Sequence, residues 1–306
     1  MGRRGGRSGP DGLAVIDKEP GWTSHDVVAK ARGVLGTRKV GHSGTLDPDA
    51  TGVLLLGAGK VTRLLRYLGL PPKRYTGVIV LGTATSTLDA SGEVTGTWDM
   101  ADTPVADVRE AAATLTGDIL QVPPMVSAIQ IDGRRLHELA REGIEVDRPP
   151  RAVTVRSFTV EDPVEPGCFP VAIECSSGTY IRSLAADLGA ALGGGAHLRD
   201  LRRTAIGSFQ VGQAVTLDAL TTDHLLSPAQ ALRDLAAVTV DAAVASDVGH
   251  GKVLSVERLG VDGPGPWAVL STDGALLAVY EAHRPGTVKP GVVIAPAGGS
   301  AAPARS

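Results

Sequence analysis

An α+β fold is predicted for this chain of 306 residues, and three observations support the prediction. Apolar runs of strand length and segments of helical periodicity both occur, but they do not follow the regular βαβ order of a doubly wound sheet. The hydrophobic fraction of 43% beside 21% charged residues is typical of a globular protein with a core. From about Ala237 the pattern changes to short apolar runs between turn signals, which is typical of a small β-rich unit.

The first elements have clear start and stop signals. The apolar run Leu13–Asp17 predicts a strand that ends before a Pro-Gly pair. Thr23 or Ser24 can cap the helix that follows, and this helix is predicted to continue through Leu35. The next predicted elements are a buried strand near Val53–Leu56, a short helix near Val61–Leu68, a strand over Tyr75–Leu81 and a helix over Thr103–Leu115.

The later elements continue this mixed order. Ser127–Ile131 and the Asp-Gly pair after it predict a strand and a turn, and a basic helix is predicted over Arg134–Arg141. Then come strands over Arg151–Val160 and Val171–Cys175, a helix over Ile181–Leu192 and a return through Arg202–Val211. The short runs of the β-rich unit are Val238–Val240, Gly251–Leu254, Pro266–Leu270, Ala278–Tyr280 and Gly291–Ile294.

These patterns divide the chain into four parts. Residues 1–11 are predicted to form a flexible basic tail, and residues 296–306, rich in Ala, Gly, Pro and Ser, a disordered tail. The main domain is predicted to span residues 12–236, and the small β-rich domain residues 237–295.

Composition disfavours several functional classes. No apolar run reaches the roughly 18 to 20 residues that a membrane helix needs, and the basic N-terminus lacks the apolar stretch of a signal peptide. Two cysteines, Cys168 and Cys175, indicate a reducing compartment rather than a disulfide scaffold. The seven His residues show no metal-ligand spacing. We therefore expect a cytoplasmic protein without a metal site.

The net charge of −3 argues against indiscriminate binding to nucleic acid, which depends on neutralising phosphates. A local basic face is still compatible with this net charge. Basic residues cluster at Arg63 with Arg66, Lys73 with Arg74, Arg134 with Arg135, Arg148 with Arg151, and Arg199 with Arg202 and Arg203. Several clusters beside the motifs described next favour an RNA-binding face.

The most informative segment is the glycine-rich stretch Gly41–Gly52, which carries Asp47 just ahead of an apolar run. Glycine loses much conformational freedom on folding but lets the backbone turn sharply or approach a ligand closely. Pro48 disfavours the helical region for Asp47, so the carboxylate is expected at a junction between loop and strand. A side chain displayed there on a rigid scaffold is a candidate catalytic group.

Three familiar motifs come close to this segment, and each fails at a named residue. Thr45 stands where a nucleophile elbow needs its last Gly, which disfavours a serine hydrolase using Ser43. A phosphate loop would need Ser or Thr where Val61 stands. A calcium loop that starts at Asp47 would need a carboxylate where Ala58 stands.

The same segment resembles the catalytic motif of the TruB-type pseudouridine synthases, G-H-x-G-T-L-D-P-x-A-x-G. Further similar segments follow the family's order: Asp17–Asp26, Lys73–Tyr75, Leu81–Gly82, Thr85–Gly92, Cys175–Leu184 and Ala196–Thr204. The likeness runs from about residue 12 to about residue 220. In one departure, Glu19 separates Lys18 from the Pro that directly follows this lysine in the family.

The resemblance implies a pseudouridine synthase fold with a mixed, mostly antiparallel central sheet and a cleft across it. It implies isomerisation of the T-loop uridine at tRNA position 55 by a monomer that needs no cofactor and no obligate protein partner. The small domain would correspond to a PUA-like RNA-binding unit, with a β-rich cap lacking an RNA role as the alternative. Met125–Arg151, which carries Arg134, Arg135 and Arg141, resembles a mobile insertion that grips RNA.

The resemblance also implies roles for individual residues. Asp47 would be the covalent nucleophile, attacking either ribose C1′ or uracil C6. Arg182 would form a planar two-pronged pair with it and lower its pKa, while Tyr75 would stack on the uracil and Tyr180 would shape the pocket. His42 would enter the T-loop and fill the place of the extruded base. Supporting roles are expected for Lys18, Lys73 and Asp89.

Two other functions stay open at this point. One is a guide-dependent pseudouridine synthase that acts on ribosomal RNA. The chain is short and lacks long basic extensions, which favours the stand-alone tRNA enzyme over this alternative. The other is a noncatalytic factor that binds or folds RNA. The presence of Asp47, Tyr75 and Arg182 together argues against that factor.

Overall fold

The computed structural model describes residues 9–127, 130–131, 133–135, 142, 144 and 146–295. The described strands, numbered along the chain, are β1 (Gly12–Lys18), β2 (Val40–Ser43), β3 (Thr51–Ala58), β4 (Lys73–Leu81), β5 (Thr83–Thr85), β6 (Val94–Thr97), β7 (Gly117–Gln121), β8 (Gln130–Ile131), β9 (Arg134–Arg135), β10 (Arg151–Val160), β11 (Cys168–Cys175), β12 (Ala196–Ile206), β13 (Phe209–Gln210), β14 (Ala236–Thr239), β15 (Leu254–Ser255), β16 (Trp267–Leu270), β17 (Leu276–Ala282) and β18 (Thr287–Val293).

The described α-helices are Ser24–Val34, Leu65–Leu68, Val105–Thr114, Ile181–Ala191, Pro228–Ala231, Ala242–Gly249 and Val256–Leu259. Short 3-10 helices lie at Gly59–Leu64, Val211–Gln213 and Thr222–His224. No helix in the described ranges is long and apolar enough to cross a membrane.

Nine of the described strands form the central sheet, in the order β1-β3-β12-β4-β11-β10-β7, with β2 beside β3 and β13 beside β12. Most neighbours are antiparallel, and β12 pairs in parallel with β3 at Arg202 and Arg203. The mixed, mostly antiparallel sheet is therefore confirmed. Short pairs β5-β6 and β8-β9 stand apart from it.

The helix Ser24–Val34 begins where the sequence predicts it. The Thr23 hydroxyl accepts a hydrogen bond from the backbone N–H of Asp26, and the Asp26 carboxylate accepts one from the N–H of Thr23. This reciprocal capping fixes the first turn. Val27 and Ala31 on the buried side of the helix join a core with Leu54 of β3.

Two further helices cover another part of the sheet. Val105–Thr114 and Ile181–Ala191 bury their apolar faces in one core with β4, β10, β11 and β12. The start of Ile181–Ala191 is thereby held over the sheet beside Tyr75, which belongs to the same core. This packing positions the first residues of that helix, among them Arg182, for the site described below.

A second sheet follows near the C-terminus, with the strand order β14-β16-β17-β18-β15. The β-rich character predicted for this part of the chain is confirmed. A contact with the 59–68 segment ties it to the central sheet: the Tyr67 phenol donates to Glu281 Oε1 at 2.6 Å, and Arg66 pairs with the same carboxylate at 2.8 Å. Arg63 also donates to the carbonyl of Val293 at 2.7 Å.

Three local predictions differ from the structure. Arg134 and Arg135 form strand β9 opposite β8, so the basic helix does not begin at Arg134, and its remaining residues through Arg141 lie outside the described part. The helix Ala242–Gly249, which Asp241 caps, is absent from the sequence prediction because that prediction treats the whole region from about Ala237 as β-rich. The first residues of the glycine-rich segment form β2 rather than a loop. The predicted tails at 1–8 and 296–306 lie outside the described residues.

Candidate active site

Asp47 lies in the loop between β2 and β3, as predicted for a loop-strand junction. The loop is tied down at its centre because the Ser24 hydroxyl accepts from the N–H of Leu46 at 2.9 Å and donates to the Leu46 carbonyl at 3.1 Å. β3 follows the loop, and its second residue, Gly52, has a φ of 97° and a close approach to β12 that require glycine. A Cβ at Gly52 would lie 2.2 Å from the carbonyl oxygen of Arg203.

Arg182 pairs with Asp47 through two contacts. Its Nε lies 3.0 Å from Asp47 Oδ2, and its Nη2 donates to Asp47 Oδ1 at 3.2 Å. The Arg182 side chain is 5% exposed and that of Asp47 39%, so the carboxylate can reach a ligand while the guanidinium is held inside. The predicted fork between these residues is present in the structure.

The surroundings of Arg182 fix its orientation. It donates to the carbonyls of Thr87 at 2.8 Å and Val126 at 2.9 Å. Its Nη1 lies 3.5 Å from Asp89 Oδ2, and Asp89 Oδ1 in turn accepts from the hydroxyls of Thr87 and Ser91 at 2.6 Å each. Asp89 therefore belongs to the same charge network as Asp47.

Burial raises the pKa of the Asp47 carboxyl above its usual value. The Arg182 guanidinium opposes this rise, and Asp89 adds to it. The expectation that Arg182 simply lowers this pKa is therefore incomplete, because desolvation of the carboxylate is the larger effect. The guanidinium offsets part of the cost of keeping this partly buried carboxylate charged.

A cavity of about 270 Å³ opens beside the pair. Besides Asp47 and Arg182, its walls include Lys73, Tyr75, Tyr180 and Arg203. Tyr75 points from β4 into the core, and burial raises the pKa of its phenol. A neutral aromatic ring beside an ionised carboxylate is a suitable surface for a flat, polar base.

Tyr180 caps the helix that carries Arg182, and its backbone is clamped by Gln121 at the end of β7. The N–H of Tyr180 donates to Gln121 Oε1 at 2.7 Å, and Gln121 Nε2 donates to the Tyr180 carbonyl at 3.0 Å. Gln121 is buried, and it is not one of the site residues predicted from the sequence. A lone Gln at the end of a short strand gives no sequence signal for this role.

Lys18 lies beneath the Asp47 loop rather than in the cavity wall. Its ammonium donates to the carbonyls of Pro48 at 2.8 Å and Glu19 at 2.9 Å. Burial lowers the pKa of Lys18 to about 8, although Asp49 and Asp47 oppose this shift. Lys18 thus supports the loop from below, and Glu19, the residue that departs from the family motif, supplies one of the acceptors.

His42 is not part of the cavity wall. It lies on β2, and its ring meets that of His25 edge to face at 5.3 Å between centroids. Burial lowers the pKa of His42, with a further contribution from His25. Asp47, Tyr75, Tyr180, Arg182 and Lys73 are thus brought together, whereas His42 stands to one side on the strand that leads into the Asp47 loop.

Several basic residues that suggested an RNA face have protein partners instead. Arg63 and Arg66 contact the C-terminal sheet, and Arg202 pairs with Asp17 at 2.7 Å. Arg203 is buried to 1% exposure and faces the cavity. The sequence grouped it with its exposed neighbours because arginine is rarely fully buried.

Comparison with known proteins agrees with this geometry. Residues 32–181 match the model of the TruB family pseudouridylate synthase N-terminal domain, and residues 182–242 match that of the tRNA pseudouridylate synthase B C-terminal domain. Within the described ranges no group of three or more His, Cys, Asp or Glu residues is arranged to hold a metal ion.

Relatives named tRNA pseudouridine synthase B cover nearly the whole chain. The Streptomyces coelicolor protein is 47% identical over 90% of this chain and 94% of its own length. The Thermobifida fusca protein is 46% identical over 93% of this chain and 99% of its own length. A structure of a Cbf5-Nop10-Gar1 complex superposes with a TM-score of 0.73 at 26% identity, covering 93% of this chain and 85% of that one. This chain belongs to the TruB family of pseudouridylate synthases.

Proposed function

We propose that this protein converts uridine to pseudouridine in tRNA, at the T-loop uridine of position 55, with Asp47 as the covalent nucleophile. The observation that carries the proposal is the two-pronged Asp47–Arg182 pair at the wall of a cavity shared with Tyr75. Membership of the TruB family supports the reaction, and relatives named tRNA pseudouridine synthase B support tRNA as the substrate.

Two covalent routes suit this nucleophile. In one, an Asp47 oxygen bonds to ribose C1′ and the electron pair of the C1′–N1 bond leaves with the uracil. In the other, the oxygen adds to uracil C6 and the electron pair of the C5=C6 bond is shared between C5 and O4. C5 then attacks C1′, and the electron pair of the breaking C1′–N1 bond stays on N1. In both, C5 becomes bonded to C1′, the carboxylate is released, C5 loses its proton and N1 gains one. The product is an isomer of the substrate, so the sum of the steps consumes no cofactor.

The remaining residues receive roles that fit their positions. Arg182 keeps Asp47 ionised and aimed, which matters because burial alone favours the neutral acid. Tyr75 provides the stacking surface for the uracil, and Tyr180 closes the cavity beside it. His42, on the strand leading to the loop, fills the space that the extruded base leaves in the RNA. Lys18 and Asp89 support the Asp47 loop and the Arg182 guanidinium.

We also propose a division into a catalytic domain over residues 12–236 and a PUA-like RNA-binding domain over residues 237–295. From β14 onward the strands belong to a separate five-stranded sheet and not to the central sheet, which supports this division. The insertion Met125–Arg151 is proposed to grip the T-arm, with Arg134 and Arg151 exposed on it. Action as a monomer in the cytoplasm belongs to the same proposal and rests on family membership.

A guide-dependent enzyme is the second candidate, because the superposed complexes include an H/ACA RNP bound to a substrate RNA, at a TM-score of 0.67 and 26% identity. The higher identity of 47% to a tRNA pseudouridine synthase B favours the stand-alone tRNA enzyme. Activity of the purified protein on tRNA without any guide RNA separates the two.

The test is tritium release from a T-loop RNA labelled at uracil C5, with wild type and Asp47→Asn side by side. Release by wild type alone would establish the reaction and its dependence on Asp47. Equal release by both proteins would refute the nucleophile assignment. No release by either protein, with the RNA still bound, would favour a noncatalytic RNA-binding factor.

A further inference from the structure

Two buried cations converge on Gly44, at the start of the Asp47 loop. Lys73 of β4 is 5% exposed and Arg203 of β12 is 1% exposed. A Cβ built on Gly44 would lie 3.5 Å from Lys73 Cε and 3.4 Å from an Nη of Arg203. Both residues line the same cavity as Asp47. Two positive side chains therefore face the space that the proposed function assigns to the uracil.

Neither cation has a carboxylate partner within the described part of the chain. Lys73 donates to the carbonyl of Gly69 at 2.9 Å, and Arg203 donates to three backbone carbonyls of β3 and the Asp47 loop. Burial lowers the pKa of Lys73 to about 8, and Arg203 adds to that shift. Buried charge without a counter-ion is unfavourable, so its presence in a cavity wall indicates an anionic group that arrives later.

The reaction supplies such a group by either route. When the C1′–N1 bond breaks, its electron pair is spread over N1 and the two uracil carbonyl oxygens. When a carboxylate adds to C6 instead, the displaced electron pair is shared between C5 and the O4 carbonyl oxygen. The uracil ring is thus transiently anionic in both cases, and the pseudouridine ring is neutral at the end because N1 gains a proton in place of the one that C5 loses.

We propose that Lys73 and Arg203 are catalytic residues that stabilise the negative charge developing on the uracil ring. The inference rests on the proposed function and adds to it a pair of charged groups. Both groups are held in place before the reaction begins, and electrostatic stabilisation by such preorganised groups is usually a large part of catalysis. The proposal gives Lys73 a catalytic role that Lys18 does not share, because Lys18 contacts the Asp47 loop and does not line the cavity.

The test compares two tRNA transcripts that carry uridine or 5-fluorouridine at the target position. Fluorine withdraws electrons, so the fluorinated ring carries negative charge more readily and needs less help from the protein. Lys73→Gln removes the charge while keeping an N–H group for the Gly69 carbonyl. Single-turnover consumption of the target nucleoside is followed by nuclease digestion and mass spectrometry, and affinity for the RNA is measured in parallel.

On uridine RNA, Lys73→Gln is expected to react about 10²-fold more slowly than wild type, as for loss of one preorganised donor, with RNA affinity nearly unchanged. On the fluorinated RNA the deficit should shrink to about tenfold or less. Lys60→Gln, which removes an exposed lysine charge in the Gly59–Leu64 segment outside the proposed RNA-binding parts, is the matched control and should react like wild type. Lys73→Met serves the same purpose if the Gln variant fails to fold.

Equal deficits on both RNAs, or a loss explained wholly by weaker binding, would overturn the electrostatic role and leave Lys73 as a structural residue. If wild type and Lys73→Gln convert the uridine RNA at equal rates, the electrostatic inference is overturned and the proposed function still stands. A wild-type enzyme that leaves the uridine RNA unchanged would refute the proposed function and the inference with it.

Discussion

The guanidinium of Arg182 faces the carboxylate of Asp47 with two nitrogens, at 3.0 and 3.2 Å, and is itself held by two backbone carbonyls. The pair is asymmetric, since the arginine is buried and the carboxylate partly open to the cavity. A fork of this kind fixes direction as well as charge. It explains how a carboxylate whose pKa is raised by burial can still be presented as a nucleophile.

Arg182→Lys keeps the charge but loses the fork. We expect turnover to fall by about 10²-fold or more, because the carboxylate is no longer aimed, while tRNA affinity stays within about threefold. Single-turnover rates and binding measured on the same preparations check this. A proportional loss of affinity and rate would make Arg182 a contact to the RNA phosphate instead.

The pH dependence follows from Lys73, whose pKa is lowered to about 8 by burial. If its charge stabilises the uracil anion, the single-turnover rate should fall as the pH rises through about 8, where the ammonium loses its proton. Lys18 has a pKa of about 8 as well, so the wild-type profile alone does not assign the group. Lys73→Gln should remove this fall; a fall that persists unchanged in the variant would point to Lys18.

The same lysines predict how stability changes with pH. Their folded pKa values of about 8 lie below the ordinary lysine value of 10.5, so between these limits the unfolded chain binds more protons than the folded one. Stability attributable to them therefore rises with pH over this window. In urea denaturation at pH 8 and pH 10, wild type should gain stability relative to Lys73→Gln. An equal change in both proteins would contradict the assignment.

Gly52→Ala should destabilise the fold because its Cβ would lie 2.2 Å from the backbone of Arg203 and its φ is 97°. We expect a loss of about 3 kcal/mol or more in the free energy of unfolding. Gly193→Ala is the matched control, since Gly193 has a φ of 80° but nothing within 4 Å of a Cβ. It should lose only about 1 kcal/mol from backbone strain. Equal losses of unfolding free energy in the two variants would show that backbone strain, and not the close approach of Arg203, explains why position 52 needs glycine.

Gln121→Leu leaves the half-buried N–H of Tyr180 without its partner and the Tyr180 carbonyl with only the N–H of Leu184 as donor. The expected loss is about 2 kcal/mol in the free energy of unfolding. The single-turnover rate should fall as well, because the same backbone carries Tyr180 and Arg182 into the cavity. A variant as stable and as active as wild type would contradict the clamp.

Local signals explain what the sequence could predict. The Thr23 and Asp26 side chains identify the first helix because they cap it directly, and the glycine-rich stretch identifies Asp47 because its conformation needs glycine at Gly52. Residues whose role depends on distant partners carry no such signal. Arg203 looked like one member of an exposed basic cluster, and only the parallel pairing of β12 with β3 turns it into the cavity wall.

The Tyr67–Glu281 hydrogen bond has a consequence for how the C-terminal sheet can be studied. Burial and the neighbouring carboxylate raise the pKa of the Tyr67 phenol to about 12, so it stays a donor at any working pH. Removing residues 237–295 would strip this partner and uncover apolar side chains of the 59–68 segment, which lies directly before β4. A truncated protein would then lose activity by unfolding around Lys73. Charge reversals on the outer surface of the sheet, not deletions, are the manipulation that reports on RNA contact.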